Sequence, residues 1–315
     1  MPELPEVETL RQELVPAVKG KIFTDIFCDT EKLISPGIAD FRKIIKGKKI
    51  KSISRRGKML IFELGEDLFL LVHLKMSGQL IYHPPLRVGV PTNTPGLLVR
   101  RPTDSNNERR PTGSRGGVVG GHPQAGGTDN LPNKFTHIYF TFNDGAKLYF
   151  NDLRKFGWAR LVDKVQVDKL LREFGVEPLS KEFTLEALKK ILSRRQNKTI
   201  KQVLMEQELI AGIGNIYADE SCFCAKIKPT RLVKTLMPVE VAKLRQCIPK
   251  ILKFAISKKG TSAHTYVQLD GRPGGMVPYL KVYGRAKLPC KVCKTEIQKI
   301  KLGGRGTHFC PKCQK

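Results

Sequence analysis

The sequence predicts an α+β chain in three parts: an N-terminal antiparallel β-sandwich or flattened barrel led by a helix, a helical domain, and a short cysteine-bearing tail. Three observations predict it. Apolar residues recur at spacings of three and four from Val7 to Val18; eight short β-type runs follow, separated by Gly and Asp turns; and from about Leu170 the periodicity returns to helical. The expected boundaries are 1–162, 163–277 and 278–315.

The first helix is expected over residues 5 to about 19. Val7, Leu10, Leu14 and Val18 form its apolar stripe, Pro5 suits its first turn, and Gly20 ends it. Strands are expected at Ile22–Phe27, Ile50–Ile53, Met59–Leu64, Leu68–Leu74, Gln79–Tyr82, Ile138–Phe142, Lys147–Phe150 and Ala159–Val162. Between the fifth and sixth, residues 86–134 hold nine Gly and six Pro, 15 of 49 residues, and no aromatic residue. So few large apolar groups do not offset the entropy of ordering, and a disordered surface insertion is expected. Its charge of +4 suits weak contact with phosphates, and equally a plain spacer. Helices are expected at Val167–Phe174, Leu185–Arg194, Ile200–Gln207, Ile216–Cys224 and Pro238–Ser257, before a Gly-rich stretch from Gly260 to Met276. No internal repeat is apparent.

At 315 residues the chain is long enough for two domains with cores of their own. Its 56 Lys plus Arg against 29 Asp plus Glu leave a net charge of +27, which concentrates polyanions and points to nucleic acid. A merely basic surface is the plainer reading of the charge alone. No stretch reaches the 18 apolar residues of a membrane span. The chain opens with carboxylates at Glu3 and Glu6, whereas a secretory signal opens with Lys or Arg, so a cytosolic or nuclear site is expected, without membrane. Eight cysteines in that setting suggest metal ligands or free thiols.

Cys290–Cys293 and Cys310–Cys313 are two CxxC pairs with 16 residues between them. Each places two thiolates on one turn, and an intervening hairpin would bring them around one tetrahedral zinc ion. Redox pairs would need a thioredoxin-like context, which is absent. With four protein ligands the zinc is structural, a zinc ribbon in place of a core. Cys28, Cys222, Cys224 and Cys247 lack such spacing and are expected as buried thiols. At the hairpin tip, Arg305 in Gly303-Gly304-Arg305-Gly306 either reaches a phosphate or is solvated. Two helices joined through Gly212-Ile213-Gly214 suggest a helix-turn-helix element, with Asn215 capping the second; its N-terminus suits a phosphate, and a plain connecting turn reads equally well.

Pro2, Glu3 and Glu6 alone read as an ordinary helix start, with acids at the positive end of the dipole. Taken in order, however, Met1-Pro2-Glu3-Leu4-Pro5-Glu6-Val7-Glu8, Gly57-Lys58, His73-Leu74-Lys75-Met76-Ser77-Gly78, Asp152 to Gly157, Ala211 to Glu220 and the terminal cysteines form one constellation. The chain resembles the bacterial-type formamidopyrimidine-DNA glycosylases over nearly its whole length apart from residues 86–134.

The resemblance implies a helix–two-turn–helix domain and a glycosylase and AP lyase that acts on double-stranded DNA carrying oxidised purines or abasic sites. It further implies a monomer working at the bacterial nucleoid in the cytoplasm. Pro2, freed of Met1, would be the nucleophile. An α-amine titrates near 8 against about 10.4 for lysine, so a useful neutral fraction exists near neutral pH. Glu3 would be the acid on the sugar ring oxygen, Glu6 a supporting carboxylate, and Lys58 and Arg305 the residues of β- and δ-elimination. Phe156, Met76 and Arg154 match the residues inserted when the nucleotide is flipped out. Lys201, Asn215, Lys155, His73 and His137 match DNA contacts, and 260–266 matches the loop over the everted base.

Lys75 stands where the family usually has Gly, Leu153 for Pro, Lys155 for Arg and Phe135 for His, departures that bear on DNA affinity and opposite-base preference. The related endonuclease VIII branch shares Pro2 and Glu3 but prefers oxidised pyrimidines; the run Leu4 to Glu8 favours the purine branch. A noncatalytic DNA-binding scaffold is the alternative of another class.

Overall fold

The computed structural model describes residues 1–85, 130–263 and 265–315. The expected insertion at 86–134 therefore lies outside the described residues save for its last five, and so does His264.

Helix α1 (Leu4–Val18) has proline in its first turn and buries Val7, Leu10, Leu14 and Val18, the stripe read from the sequence. Beyond it Gly20 takes φ +86° and its N–H donates to Ile50 O at 2.8 Å. The strands follow as β1 (Phe23–Cys28), β2 (Ile34–Ser35), β3 (Ser52–Arg56), β4 (Met59–Gly65), β5 (Leu68–His73), β6 (Gly78–His83), β7 (Thr136–Phe142), β8 (Lys147–Asp152) and β9 (Trp158–Asp163). They form one sheet in the order β1-β7-β8-β6 and another in the order β2-β9-β5-β4-β3. Both close on one core: Phe23, Phe140 and Phe150 from the first sheet meet Leu60, Phe62, Leu70 and Val72 from the second, with Leu10 and Leu14 of α1. Strand β4 is buried on both faces, because Met59 and Ile61 pack on the far side against Val167 of α3 (Lys164–Arg172). This is why its sequence is continuously apolar from Met59 to Phe62 instead of alternating.

Three features depart from expectation. β2 pairs with β9 in parallel, through Ile34 and Ser35. Helix α2 (Ile38–Ile45) stands where no element was expected; Phe41 and Ile45 carry its buried face, a stripe too short to stand out. Helix α3 starts at Lys164 because Asp163 caps it, accepting the Gln166 N–H at 2.8 Å while Gln166 Oε1 accepts the Asp163 N–H.

The helical part comprises α4 (Leu185–Ser193), α5 (Ile200–Met205), α6 (Asn215–Ala225) and α7 (Pro238–Ser257) around Leu188, Leu192, Val203, Leu204, Ile213, Tyr217, Leu244, Ile248 and Leu252. Leu4 belongs to this second core, whereas Val7 to Val18 belong to the first. Helix α1 thus joins the two parts, and the chain's N-terminus lies at their junction. Cys224 of α6 and Cys247 of α7 are joined by a disulfide, which corrects the expectation of free thiols. Packing of the two helices brings their Cα atoms to 5.8 Å, within disulfide range, a proximity invisible across 23 residues of sequence. Cys28 and Cys222 remain thiols.

In the tail, β10 (Gln298–Leu302) and β11 (Arg305–Phe309) pair antiparallel around Gly303 and Gly304, both at positive φ as a tight hairpin turn requires. No helix among the described residues is long and apolar enough to cross a membrane.

Candidate active site

Glu3 lies just before α1 and is 1% exposed. Its carboxylate accepts the N–H groups of Gly214 and Ile216 at 2.8 Å each, and that of Tyr217 at 3.3 Å. The N-terminus of α6, expected to suit a phosphate, is therefore occupied by this chain's own carboxylate, as the helix dipole favours. Gly214, not Asn215, is its N-cap, and Asn215 is the first helical residue. The glycines are needed for this approach: a Cβ on Gly214 would lie 2.4 Å from the Glu3 carboxyl carbon, and one on Gly212 would lie 2.7 Å from the Leu4 side chain.

Glu6 lies one turn further and is equally buried. Its Oε2 accepts the Glu3 N–H at 2.8 Å; its Oε1 accepts the Thr261 N–H at 2.8 Å and the Tyr217 hydroxyl. Burial, with the neighbouring Glu3 charge, pushes the Glu6 carboxyl up to about 7. Lys58, 5% exposed, sits in the β3–β4 turn, where Gly57 takes φ +55°. Burial lowers its ammonium below the usual lysine range, against the pull of Glu3 and Glu6. That turn is braced by Arg55, which ion-pairs with Glu8 at 3.1 Å and Glu177 at 3.0 Å and donates to Gly57 O at 2.9 Å. Pro2 is buried, and burial holds the Met1 amine just outside it below the usual α-amine range; the charges acting on that amine are Glu3, Glu6, Lys58 and Arg305. Four distant stretches of sequence thus meet at the N-terminus.

Arg305 is exposed at the β10–β11 turn. Its neighbour Gly306 offers its carbonyl to Lys201 Nζ at 3.1 Å and to Asn215 Nδ2 at 3.0 Å. Lys201 was expected to reach DNA phosphates. Instead it is 1% exposed and its ammonium is held by Asp219 at 2.7 Å and by Thr307 Oγ1 at 2.8 Å. It fixes the hairpin from behind, because an ammonium so buried requires an anionic partner.

Met76, Arg154 and Phe156 come together from two loops. Buried Asp152 organises both, accepting the Ser77 hydroxyl at 2.5 Å and the N–H groups of Phe156 at 2.8 Å and Gly157 at 2.7 Å. Arg154 Nη1 lies 3.2 Å from Met76 Sδ, its guanidinium 4.7 Å from the Phe156 ring centre, and Phe156 is 50% exposed. Lys75 and Lys155 hold φ +49° and +52° in these loops, strained for residues with a side chain. Lys155 Nζ lies 3.4 Å from Thr30 Oγ1. His73 accepts the Lys75 N–H at 2.9 Å, and burial beside Lys75 and Lys58 drives its pKa down to about 3, so it offers a neutral ring. His137, expected at the DNA, is 2% exposed with Nδ1 3.0 Å from Asp29, a contact that occupies it within the protein.

Cys290, Cys293, Cys310 and Cys313 have their sulfur atoms within 4.8 Å of one another; Cys290–Cys313 is 3.9 Å and Cys293–Cys310 is 3.4 Å. A zinc–sulfur distance of about 2.3 Å implies tetrahedral edges of about 3.8 Å, so four thiolates so placed fit one zinc ion and leave it no open position.

Sequence reasoning passed over Arg55, Glu177, Asp152, Tyr217 and Thr261. Asp152 and Tyr217 lay within motifs and Thr261 within the expected loop; Arg55 and Glu177 carry no local signal, since their partners, Glu8 and each other, are remote in sequence.

The family model for the formamidopyrimidine-DNA glycosylase N-terminal domain matches residues 1–159, that for its H2TH domain matches 174–267, and that for the zinc finger found in FPG and IleRS matches 287–315. The formamidopyrimidine-DNA glycosylase of Pelotomaculum thermopropionicum is 37% identical over 318 positions, covering 100% of this chain and 99% of the relative. That of Streptococcus mutans is 35% identical, covering 100% of both. Among solved structures, the Lactococcus lactis Fpg in complex with DNA containing an abasic site superposes with a TM-score of 0.78 at 35% identity, covering 99% of each chain. The wild-type L. lactis protein with DNA containing an oxidised pyrimidine gives 0.77 at 35% identity over 100% of each. With matches running end to end and all three domain models in order, the chain belongs to the formamidopyrimidine-DNA glycosylase family.

Proposed function

We propose that this protein excises oxidised purines, 8-oxoguanine and formamidopyrimidines, from double-stranded DNA and then cuts the strand, with the Pro2 amine as nucleophile once Met1 is removed. The observation that carries the reading is the gathering of Glu3, Glu6, Lys58 and Arg305 around the N-terminus.

The Pro2 nitrogen attacks C1′ of the everted nucleotide as the bond from C1′ to the base breaks, the base leaving with the electron pair and taking a proton. Glu3, oriented by three backbone N–H donors, takes the proton that the Pro2 nitrogen sheds on attack and passes it to the sugar ring oxygen as the ring opens. The product is an iminium linking Pro2 to C1′, an electron sink. Loss of a C2′ proton then expels the 3′ phosphate, with Lys58 beside the departing charge. A second elimination expels the 5′ phosphate near Arg305, and water releases the enzyme. Phe156 wedges into the stack, Met76 fills the gap and Arg154 faces the orphaned base; Lys155, Asn215 and neutral His73 contribute lesser DNA contacts. Zinc, held by the four cysteines, supports the hairpin that presents Arg305 and takes no part in the chemistry.

The protein acts as a monomer on chromosomal DNA in the cytoplasm, and its working division is 1–162, 163–277 and 278–315. Incision of duplexes carrying 8-oxoguanine opposite cytosine, compared with thymine glycol opposite adenine, tests the substrate class. Preference for 8-oxoguanine supports it, and preference for thymine glycol contradicts it.

A further inference from the structure

Tyr217 is fully buried in the first turn of α6, the helix whose N-terminus receives Glu3. Its hydroxyl donates to Glu6 Oε1 and lies 2.9 Å from Thr261 Oγ1. Thr261, 3% exposed, donates its N–H to the same Glu6 oxygen at 2.8 Å. Glu6 then has one oxygen left, and that oxygen accepts the Glu3 N–H at 2.8 Å. The chain of contacts runs from α6 and Thr261, through Glu6, to the backbone directly behind Pro2. Four residues later the segment is anchored again: Gln79 donates to Thr265 O, and Thr265 Oγ1 lies 3.5 Å from Met76 O.

We propose that Tyr217 is a positioning residue for the nucleophile: together with the Thr261 N–H it holds Glu6 Oε1, so that Glu6 Oε2 fixes the Glu3 backbone and thereby where the N-terminal residue stands. This rests on the reading of Pro2 as nucleophile. A nucleophile must approach its carbon along a narrow path, and small displacements cost large factors in rate. A phenol also suits the task better than a lysine, since it adds a donor to the carboxylate without adding charge. The groups facing Glu6 are Glu3 at the start of α1, Lys58 from the β3–β4 turn, Tyr217 from α6, Thr261 and Tyr266 from the segment after α7, and the N-terminal amine. Among them the Tyr217 hydroxyl and the Thr261 and Glu3 N–H groups oppose the burial that raises the Glu6 pKa.

The test is Tyr217→Phe, read by single-turnover excision of 8-oxoguanine from about pH 5 to about pH 9, and by binding to a duplex carrying a tetrahydrofuran abasic analogue, which cannot form the iminium. The expected result is a rate lower by roughly ten- to a hundredfold, the range for one hydrogen bond to a charged group. Binding of the analogue should be unchanged, and the acid limb should move to higher pH because a donor that favours ionised Glu6 is gone. Thr261→Ser, which keeps hydroxyl and N–H, should stay near wild type. Thr261→Val, which keeps the N–H to Glu6 but removes the hydroxyl that orients the Tyr217 phenol, should shift rate and profile in the same direction as Tyr217→Phe and by less. A Tyr217→Phe enzyme with wild-type rate and pH profile overturns the proposal, as does a loss of analogue binding equal to the loss of rate. Should Tyr217→Phe fail to fold, Thr261→Val decides by the same readouts. Wild-type protein that excises no base would instead overturn the function on which the proposal rests.

Discussion

The Glu3 carboxylate and the Gly214 N–H, 211 residues apart in sequence, meet at 2.8 Å, and through this contact the catalytic end of α1 is seated on the helical part. A Cβ at position 214 would fall 2.4 Å from the Glu3 carboxyl carbon. Gly214→Ala should therefore push Glu3 from its seat, destabilising the fold by about 1–3 kcal/mol as overpacked sites do, and lowering excision at least tenfold. Urea unfolding and single-turnover kinetics check both.

Lys201→Met leaves Asp219, 0% exposed, without its cation. The expected cost is about 3–5 kcal/mol in unfolding free energy. A phosphate-contacting lysine would behave otherwise: its loss would leave stability nearly intact and reduce the salt dependence of DNA binding by about one unit of slope. Denaturant unfolding alongside a salt titration separates the two.

Glu6 has a pKa raised from 4.5 to about 7 by burial. Because the folded state holds its proton more tightly, this contribution to stability is complete below about pH 4.5 and is lost as pH rises toward 7, on the order of 3 kcal/mol in all. Glu6→Gln cannot ionise. The difference in stability between wild type and Glu6→Gln should therefore drift against the wild type between pH 4.5 and 7 and stay level above, as measured by urea unfolding across that range.

Phe156 is half exposed and stacks with Arg154. Phe156→Ala should leave stability within about 0.5 kcal/mol while excision from duplex DNA falls at least tenfold, because only the stacked substrate needs the wedge. Thermal melting and turnover on duplex substrate check it.

Chelating zinc from Cys290, Cys293, Cys310 and Cys313 should unfold the ribbon and release Arg305, weakening DNA binding. Metal content by atomic absorption must fall together with binding; full activity with the metal shown absent would refute a structural role.

Features that depend on local pattern were legible in the sequence: the α1 stripe, the strand runs, the paired cysteines and the motif order. Features that depend on burial were not. Lys201 reads like any surface lysine, since only the Asp219 partner 18 residues away makes its burial tolerable. Glu3 reads from the sequence as an acid at the start of its own helix, yet its oxygens also accept the N–H groups that open α6. His137 matches a DNA contact of the family until Asp29 is found beside it. Helix α2 is too short for its periodicity to register, and the Cys224–Cys247 bond follows only from how α6 packs on α7. The Arg55–Glu177 brace joins residues 122 apart.

Borohydride reduction during turnover on an 8-oxoguanine duplex, followed by peptide mapping, tests most directly whether Pro2 carries the reaction. The predicted result is one covalent protein–DNA adduct on a peptide beginning at Pro2, formed by protein lacking Met1 and absent when Met1 or an N-terminal tag is retained. An adduct mapped to Lys58 or another lysine, or no adduct from protein with a free Pro2, would contradict it.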